Sequence, residues 1–311
     1  MIVNAIPYGH TARRLEWAHL PPAVRSVVES RLGSKVVMNE SRTGGFTPGF
    51  ASLVVTAAGS THFVKAASLV AQRGIAEAYR AEGRALRTLP PGVPVPRLQW
   101  MHDGDDWVVL CIEAADGDQT PRPWTDADVA VASRTLVELA EALTPAPGLG
   151  VTDFAEAYAD WPACWDHVRR SQPGLPHLEE ATALAARFAD VTAGDTLVHG
   201  EIRDDNLIFI DDQTVVVCDW KWPSRGANWI DSLMLLIGPR QDGFDVNLHL
   251  ASHPLLAQVP GESIDIVLAL LSGYYFRAAD QPAPASSKYL RAAAIEHRDA
   301  LWNWLSERRG W

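Results

Sequence analysis

The chain has 311 residues, 47% of them hydrophobic and 21% charged, with a formal net charge of −11. That length suggests about two domains and a core that needs no staples, and the near-average composition excludes disordered and fibrous classes. The acidic balance argues against nucleic acid as a partner, since phosphate backbones are bound by basic surfaces, and it would suit a cationic substrate, although an acidic surface serves solubility first.

Along the chain, Val24, Val27, Val28 and Leu32 stand at helical spacing within Pro21 to Leu32, which predicts an opening amphipathic helix. Strand-like runs follow at Ser52 to Ala57 and Thr61 to Ala66, joined by Ala58-Gly59-Ser60 as a hairpin. Arg73 to Leu89 reads as a helix stopped by Pro90-Pro91, and Leu98 to His102 and Trp107 to Glu113 read as two more strands. From Asp126 the texture becomes helical, over Asp126 to Leu143, Thr152 to Arg170 and Leu178 to Val191. A strand-like island, Leu207 to Ile210 and Val215 to Cys218, interrupts the helices, which resume from Trp229, continue through Ser263 to Phe276 and end with Ser286 to Arg309. A sheet-rich front and a helix-rich back therefore meet near Glu113 to Asp118.

Cys111, Cys164 and Cys218 are far apart and lack CxxC or metal-ligand spacing, so reduced thiols are expected and disulfides or a zinc site are not. The N-terminal stretch MIVNAIPYGHTARR shows no basic segment ahead of an apolar signal core, and no apolar run reaches the ~20 residues of a membrane span. A cytoplasmic protein without a membrane partner is the expectation.

The chemistry concentrates in Leu197-Val198-His199-Gly200-Glu201-Ile202-Arg203-Asp204-Asp205-Asn206, followed by a short hairpin and Val215-Val216-Val217-Cys218-Asp219-Trp220. Phosphoryl transfer needs an acid beside the attacking hydroxyl, and an amide plus a carboxylate to hold magnesium against the phosphates. His199, Glu201 and Asn206 keep the spacing of a kinase catalytic loop, and Asp219 ends the second strand where a metal ligand belongs. Upstream, Thr43-Gly44-Gly45-Phe46-Thr47-Pro48-Gly49 is a glycine-rich turn that can bring backbone N–H groups against phosphate oxygens. It is not a P-loop, because no Gly-Lys-Ser/Thr follows. Val64-Lys65 ends an apolar strand, where a lysine can reach the phosphates, and Glu82 or Glu77 on the next helix can pair with it.

These residues resemble the aminoglycoside phosphotransferase family within the protein-kinase-like fold, and in particular the actinobacterial phosphotransferases with an H-G-D-L-R-x-D-N-L loop. The similarity runs from roughly Arg42 to the final helix. It implies an α+β, two-lobed kinase-like fold, with an antiparallel sheet plus helix over residues 1–113 and a mostly helical lobe over residues 114–311. It further implies ATP and Mg2+ as cofactors and a small hydroxylated metabolite, such as an aminoglycoside or amino sugar, as acceptor. On this resemblance Glu201 is the catalytic acid and His199 orients its loop, while Asp231, in Trp229-Ile230-Asp231, braces the loop without reacting. Gly44, Gly45, Phe46 and Gly49 match the family's G-G-F-x-P-G and belong to the nucleotide site together with Lys65, and the Glu82-Gly83-Arg84-Ala85-Leu86 stretch favours Glu82 as the partner of Lys65. The backbone from Glu113 to Ala115 would meet the adenine, and Asn206 and Asp219 would hold the metal.

At the position of the catalytic acid the chain departs from the family pattern, with Glu201 in place of aspartate. The charge is kept, but the extra methylene moves the carboxylate by about a bond length, and ~1 Å of misplacement can cost about 10²-fold in rate. Reduced activity is therefore one expectation, beside a site adapted to glutamate and a silent ATP-binding module. A kinase of peptide Ser or Thr hydroxyls is a further reading, disfavoured because Lys221 to Asp231 leaves little room for an activation loop. Asp153, Glu156, Asp160, Asp242 and Asp245 are candidate ammonium binders for the acceptor.

Overall fold

Alternation along the strands decides which residues face the cleft. The computed structural model describes residues 6–7, 11–148, 150–285 and 287–311. Within it, β1 (Val36–Ser41), β2 (Phe50–Thr56) and β3 (Thr61–Ser68) are followed by β4 (Leu98–Asp103) and β5 (Trp107–Glu113), in one antiparallel sheet of order β1-β2-β3-β5-β4. On β3, Val64 and Ala66 point to one face and Lys65 and Ala67 to the other, as the two-residue period requires. Helix α1 (Pro22–Leu32) covers the first face, where Val24 and Val28 pack with Phe50, Val54, Val64, Val109 and Cys111.

Helix α2 (Arg73–Thr88) covers the second face. Its buried positions Ala76, Tyr79, Gly83 and Leu86 form one stripe, and Glu82, 1% exposed, lies on it too. Gly83 allows a close approach, because a Cβ there would lie 2.5 Å from Met101 Sδ and 2.7 Å from Leu110 Cδ2.

Beyond β5 the chain runs through β6 (Asp118–Gln119) into helices. These are α3 (Asp126–Ala142), α4 (Phe154–Ala157), α5 (Cys164–Ser171), α6 (Leu178–Ala185) and α7 (Phe188–Thr192). After α7 come β7 (Thr196–Val198), β8 (Leu207–Phe209), β9 (Val215–Val217) and β10 (Ser224–Gly226), then α8 (Ile230–Leu235), α9 (Ile237–Gln241), α10 (Val246–Ser252), α11 (Gly261–Ala279) and α12 (Leu290–Arg309). Strand β6 pairs with β8, β8 with β9, and β7 with β10, all antiparallel. The result is a two-lobed, protein-kinase-like α+β fold, its second lobe mostly helical and built around the long α11 and α12.

Three sequence expectations change. The edge strand β1 was not expected, because Val-Val-Met-Asn-Glu-Ser has no clean alternation and its Val37 and Met38 are exposed; pairing with β2 creates it. The helix expected over Thr152 to Arg170 breaks into α4 and α5 around Pro162, since the residue before proline is pushed out of helical geometry. The stretch Leu178 to Val191 divides into α6 and α7 at Ala186 and Arg187. Ser286, the expected start of the last helix, and residues 1–5 and 8–10 of the N-terminal stretch lie outside the described residues. No helix among the described residues is long and apolar enough to cross a membrane. The three cysteines are free thiols, Cys111 and Cys164 buried and Cys218 partly so, and burial pushes Cys111 and Cys218 up to about 12.

Candidate active site

The loop after β7 is shaped by its own backbone partners. Asp231, at the start of α8, accepts the His199 and Gly200 amides at 2.7 and 2.9 Å. Gly200 has φ +75°, and a Cβ there would overlap the Tyr158 hydroxyl, which donates to Gly200 O at 2.9 Å. His199 Nδ1 accepts the Glu201 amide at 3.2 Å, which leaves Nε2 carrying the proton it donates to Cys218 O at 2.9 Å. Asn206 Nδ2 donates to Glu201 O at 2.8 Å, so the amide oxygen of Asn206 remains available. The backbone of Glu201 is thus held from two sides while its carboxylate, 35% exposed, bonds Arg203 Nη1 at 2.5 Å. Burial pushes the Asp231 carboxyl up, against the pull of His199 and the two backbone N–H groups.

Cys218 donates its amide to Asn206 O at 2.8 Å, tying the end of β9 to this loop and bringing Asp219 beside Asn206. Asp219 takes a left-handed conformation, φ +70°, which is uncommon for a residue with a side chain. Its Oδ1 receives Lys65 Nζ at 2.7 Å and its Oδ2 receives Lys221 Nζ at 2.6 Å. Lys65 in turn donates to both oxygens of Glu82 at 2.7 Å, whereas Glu77 faces away and pairs with Arg80. Burial opposes the charge on Lys65, but Asp219 and Glu82 hold its ammonium above the usual lysine range. Burial likewise opposes ionisation of Asp219, and Lys65 and Lys221 overcome it, keeping the carboxyl well below the usual range.

Lys65, Glu82 and Asp219 line a cavity of about 500 Å³ between the lobes, together with Gly44, Gly45, Phe46, Glu113, Ala115 and Asn206. Gly49 stands behind it, where a Cβ would lie 2.6 Å from the Tyr79 hydroxyl. Glu113 is tied to Arg97, its amide donating to Arg97 O at 2.8 Å and its carboxylate accepting the Arg97 amide at 3.3 Å. His199, Glu201 and Asp231 lie outside this cavity, and Tyr158, Tyr274 and Tyr275 lie within electrostatic reach of Glu201.

No protein-family model matches the chain, and no curated protein sequence matches it. Solved structures do match. Spectinomycin phosphotransferase APH(9)-Ia, solved with ADP and spectinomycin, superposes at TM-score 0.60 and 9% identity over 90% of this chain and 93% of that one. Choline kinase LicA from Streptococcus pneumoniae gives 0.59 and 14% over 89% and 98%, respectively. Macrolide 2′-phosphotransferase MphH from Brachybacterium faecium gives 0.52 and 18% over 89% and 97%. The chain has the protein-kinase-like fold that these phosphotransferases share.

Within this kinase-like fold several residues at the site were not singled out from the sequence. Lys221 clamps Asp219, and Arg203 bridges Glu201 and Asp205, bonding the latter through Nε and Nη2 at 2.9 Å. The guanidinium of Arg203 also lies 5.7 Å from the Phe46 ring centre, joining the glycine-rich turn to the loop after β7. The only sequence signal was their nearness to Asp219 and Glu201. The five acidic residues considered for an acceptor fare differently. Asp242 is bound by Arg122 and the Trp124 amide, each at 2.7 Å, and Asp153 by Arg225 at 2.7 Å. Asp245 caps α10 through the Asn247 amide at 3.2 Å, while Glu156 and Asp160 are exposed.

Proposed function

We propose that the protein is an ATP-dependent phosphotransferase of the aminoglycoside phosphotransferase type that moves the γ-phosphate to a hydroxyl of a small metabolite. The observation that carries this reading is the joining of Lys65 to both Glu82 and Asp219 in the cavity that the Gly44-Gly45-Phe46 turn overhangs. Residues 1–113 form the nucleotide lobe and 114–311 carry the catalytic loop and the acceptor side. The turn's amides and Lys65 bind phosphates, the backbone of Glu113 and Ala115 meets the adenine, and Glu82 fixes Lys65.

The donor set fits magnesium. An ionised Asp219 beside the amide oxygen of Asn206 supplies hard oxygen ligands, and magnesium takes few of these from protein and the rest from phosphates and water. Bound there, the ion neutralises charge developing on the transferred phosphoryl group. Glu201 accepts the proton of the attacking hydroxyl as the new O–P bond forms and the bond to ADP breaks. His199 and Asp231 hold the loop that positions it. The acidic balance of the chain favours an amino-bearing acceptor.

The test is two-step. Calorimetry with ATP and magnesium should show binding that Lys65→Ala and Asp219→Ala weaken. A panel of aminoglycosides, amino sugars and other amino alcohols should then contain an acceptor phosphorylated in an ATP-dependent way. Absence of nucleotide binding by the intact protein would overturn the reading, and binding without turnover of any acceptor would favour a silent module.

A further inference from the structure

A short segment ahead of α1 straps the glycine-rich turn. The Thr11 and Ala12 amides donate to Thr43 O at 2.9 and 3.1 Å, and Thr11 Oγ1 lies 2.8 Å from Gly44 O and 2.9 Å from Gly45 O. With those carbonyls turned to the strap, the amides across each trans peptide turn the other way. Just beyond, Trp17 rests on Phe50 with ring centres 6.0 Å apart, and Leu20 is buried under α1. The strap is therefore anchored on both sides of Arg14.

Arg14 lines the cavity, with Nη2 3.0 Å from the position a Cβ on Gly45 would take. Its Nε is buried without a hydrogen-bond partner, and no carboxylate pairs with the side chain among the described residues. Asp205, whose Oδ2 lies 3.7 Å from the same Gly45 position, has its oxygens engaged by Arg203. Lys65, Lys221 and Arg203 each hold carboxylate partners, so Arg14 is a cation at the cleft whose counter-charge is missing. A half-buried guanidinium with an unpartnered Nε facing a cavity is unfavourable until an anion completes it.

We infer that Arg14 is a ligand for the polyphosphate of the bound nucleotide, delivered to the glycine-rich turn by the N-terminal strap. The inference rests on the nucleotide reading above, and it adds a cation from outside the sheet to the amides and Lys65. A fork of guanidinium donors suits phosphate oxygens, and its loss should be felt only by ligands that carry phosphate.

Calorimetry with ATP, ADP and adenosine, magnesium present, on the wild type, Arg14→Gln and Arg14→Lys decides the matter. Arg14→Gln should weaken ATP and ADP by about tenfold or more, leave adenosine within about twofold, and be partly rescued by lysine. Equal ATP affinity in Arg14→Gln and wild type would overturn the inference alone. So would an equal loss for adenosine, which marks a strap that only supports the fold. A wild type that binds none of the three would overturn the kinase reading first, and the inference with it.

Discussion

Lys65 and Asp219 are 154 positions apart in the chain and meet at 2.7 Å, one on the cleft face of β3, the other just past β9. The contact closes the two lobes on one ammonium, and Glu82 completes it from α2.

That three-residue cluster sets the first prediction. Lys65 and Glu82 have side chains only 8% and 1% exposed, so removing Lys65 strands the Glu82 carboxylate in a poorly hydrated place and leaves Asp219 to Lys221 alone. Lys65→Met should cost about 3 to 5 kcal/mol in urea unfolding, the usual penalty for an uncompensated buried charge. Adding Glu82→Met should restore part of the loss rather than deepen it, because the orphaned carboxylate leaves with its partner. Strictly additive losses in the double variant would show that the pair is not coupled.

Glu201 sets the second. Its longer side chain reaches Arg203 Nη1 at 2.5 Å, an ion pair that draws the carboxylate aside. Glu201→Asp should therefore raise kcat by about 10- to 100-fold, and Glu201→Ala should lower it by about 10²- to 10⁴-fold, both with KM for ATP nearly unchanged. A fall in kcat for the aspartate form would mean that the site is built around glutamate.

Lys221 provides the third. Its ammonium, 11% exposed at the side chain, occupies Asp219 Oδ2, the same carboxylate proposed to hold magnesium. Like charges compete for one carboxylate, so Lys221→Met should lower the magnesium concentration that half-saturates ADP tightening by about 3- to 10-fold. Titrating magnesium into the protein with ADP measures this directly. A rise in the magnesium requirement would identify Lys221 as an aid to the metal rather than its rival.

The fourth concerns acid stability. His253, 6% exposed, accepts the Leu255 amide on Nδ1, and burial together with the neighbouring His249 lowers its pKa from 6.5 to about 4. Arg134 and Glu138 of α3 face the same recess. The folded state keeps the ring neutral where the unfolded chain takes up a proton. Its contribution is thus complete above pH 6.5 and falls as the pH drops toward 4. The stability advantage of wild type over His253→Asn, followed by urea unfolding across that interval, should shrink by about 1 to 3 kcal/mol. A difference independent of pH would show that His253 titrates normally in the folded state.

Much of the site was legible because its signals are local. The order His199, Glu201, Asn206, Asp219 follows from a loop, a hairpin and a strand end, whose spacing the chain itself sets. Lys65 could be placed because a two-residue period and an apolar run locate a strand without reference to its neighbours. Glu82 could be preferred to Glu77 on resemblance alone, and the helix supplies a physical reason: Glu82 lies on the stripe of Tyr79 and Leu86 that faces the sheet.

What lies between distant segments was not legible. Strand β1 exists because β2 offers it hydrogen bonds, and nothing in Val-Val-Met-Asn-Glu-Ser requires it. Asp153 and Asp242 read as free acids until folding brought Arg225 and Arg122 to them across 72 and 120 positions. Lys221 stands two residues from Asp219, yet only the left-handed turn at Asp219 sends its ammonium back onto that carboxylate. Arg14 is one more arginine in the sequence, and its place at the cavity comes from Thr11 bonding the glycine-rich turn some thirty positions on. The sequence by itself determined most of the elements and the order of His199, Glu201, Asn206 and Asp219, because spacing and alternation act within a few residues. Which charges are paired and which stand open to the cleft was decided by the tertiary structure, because ion pairs depend on distances that only the packed chain defines.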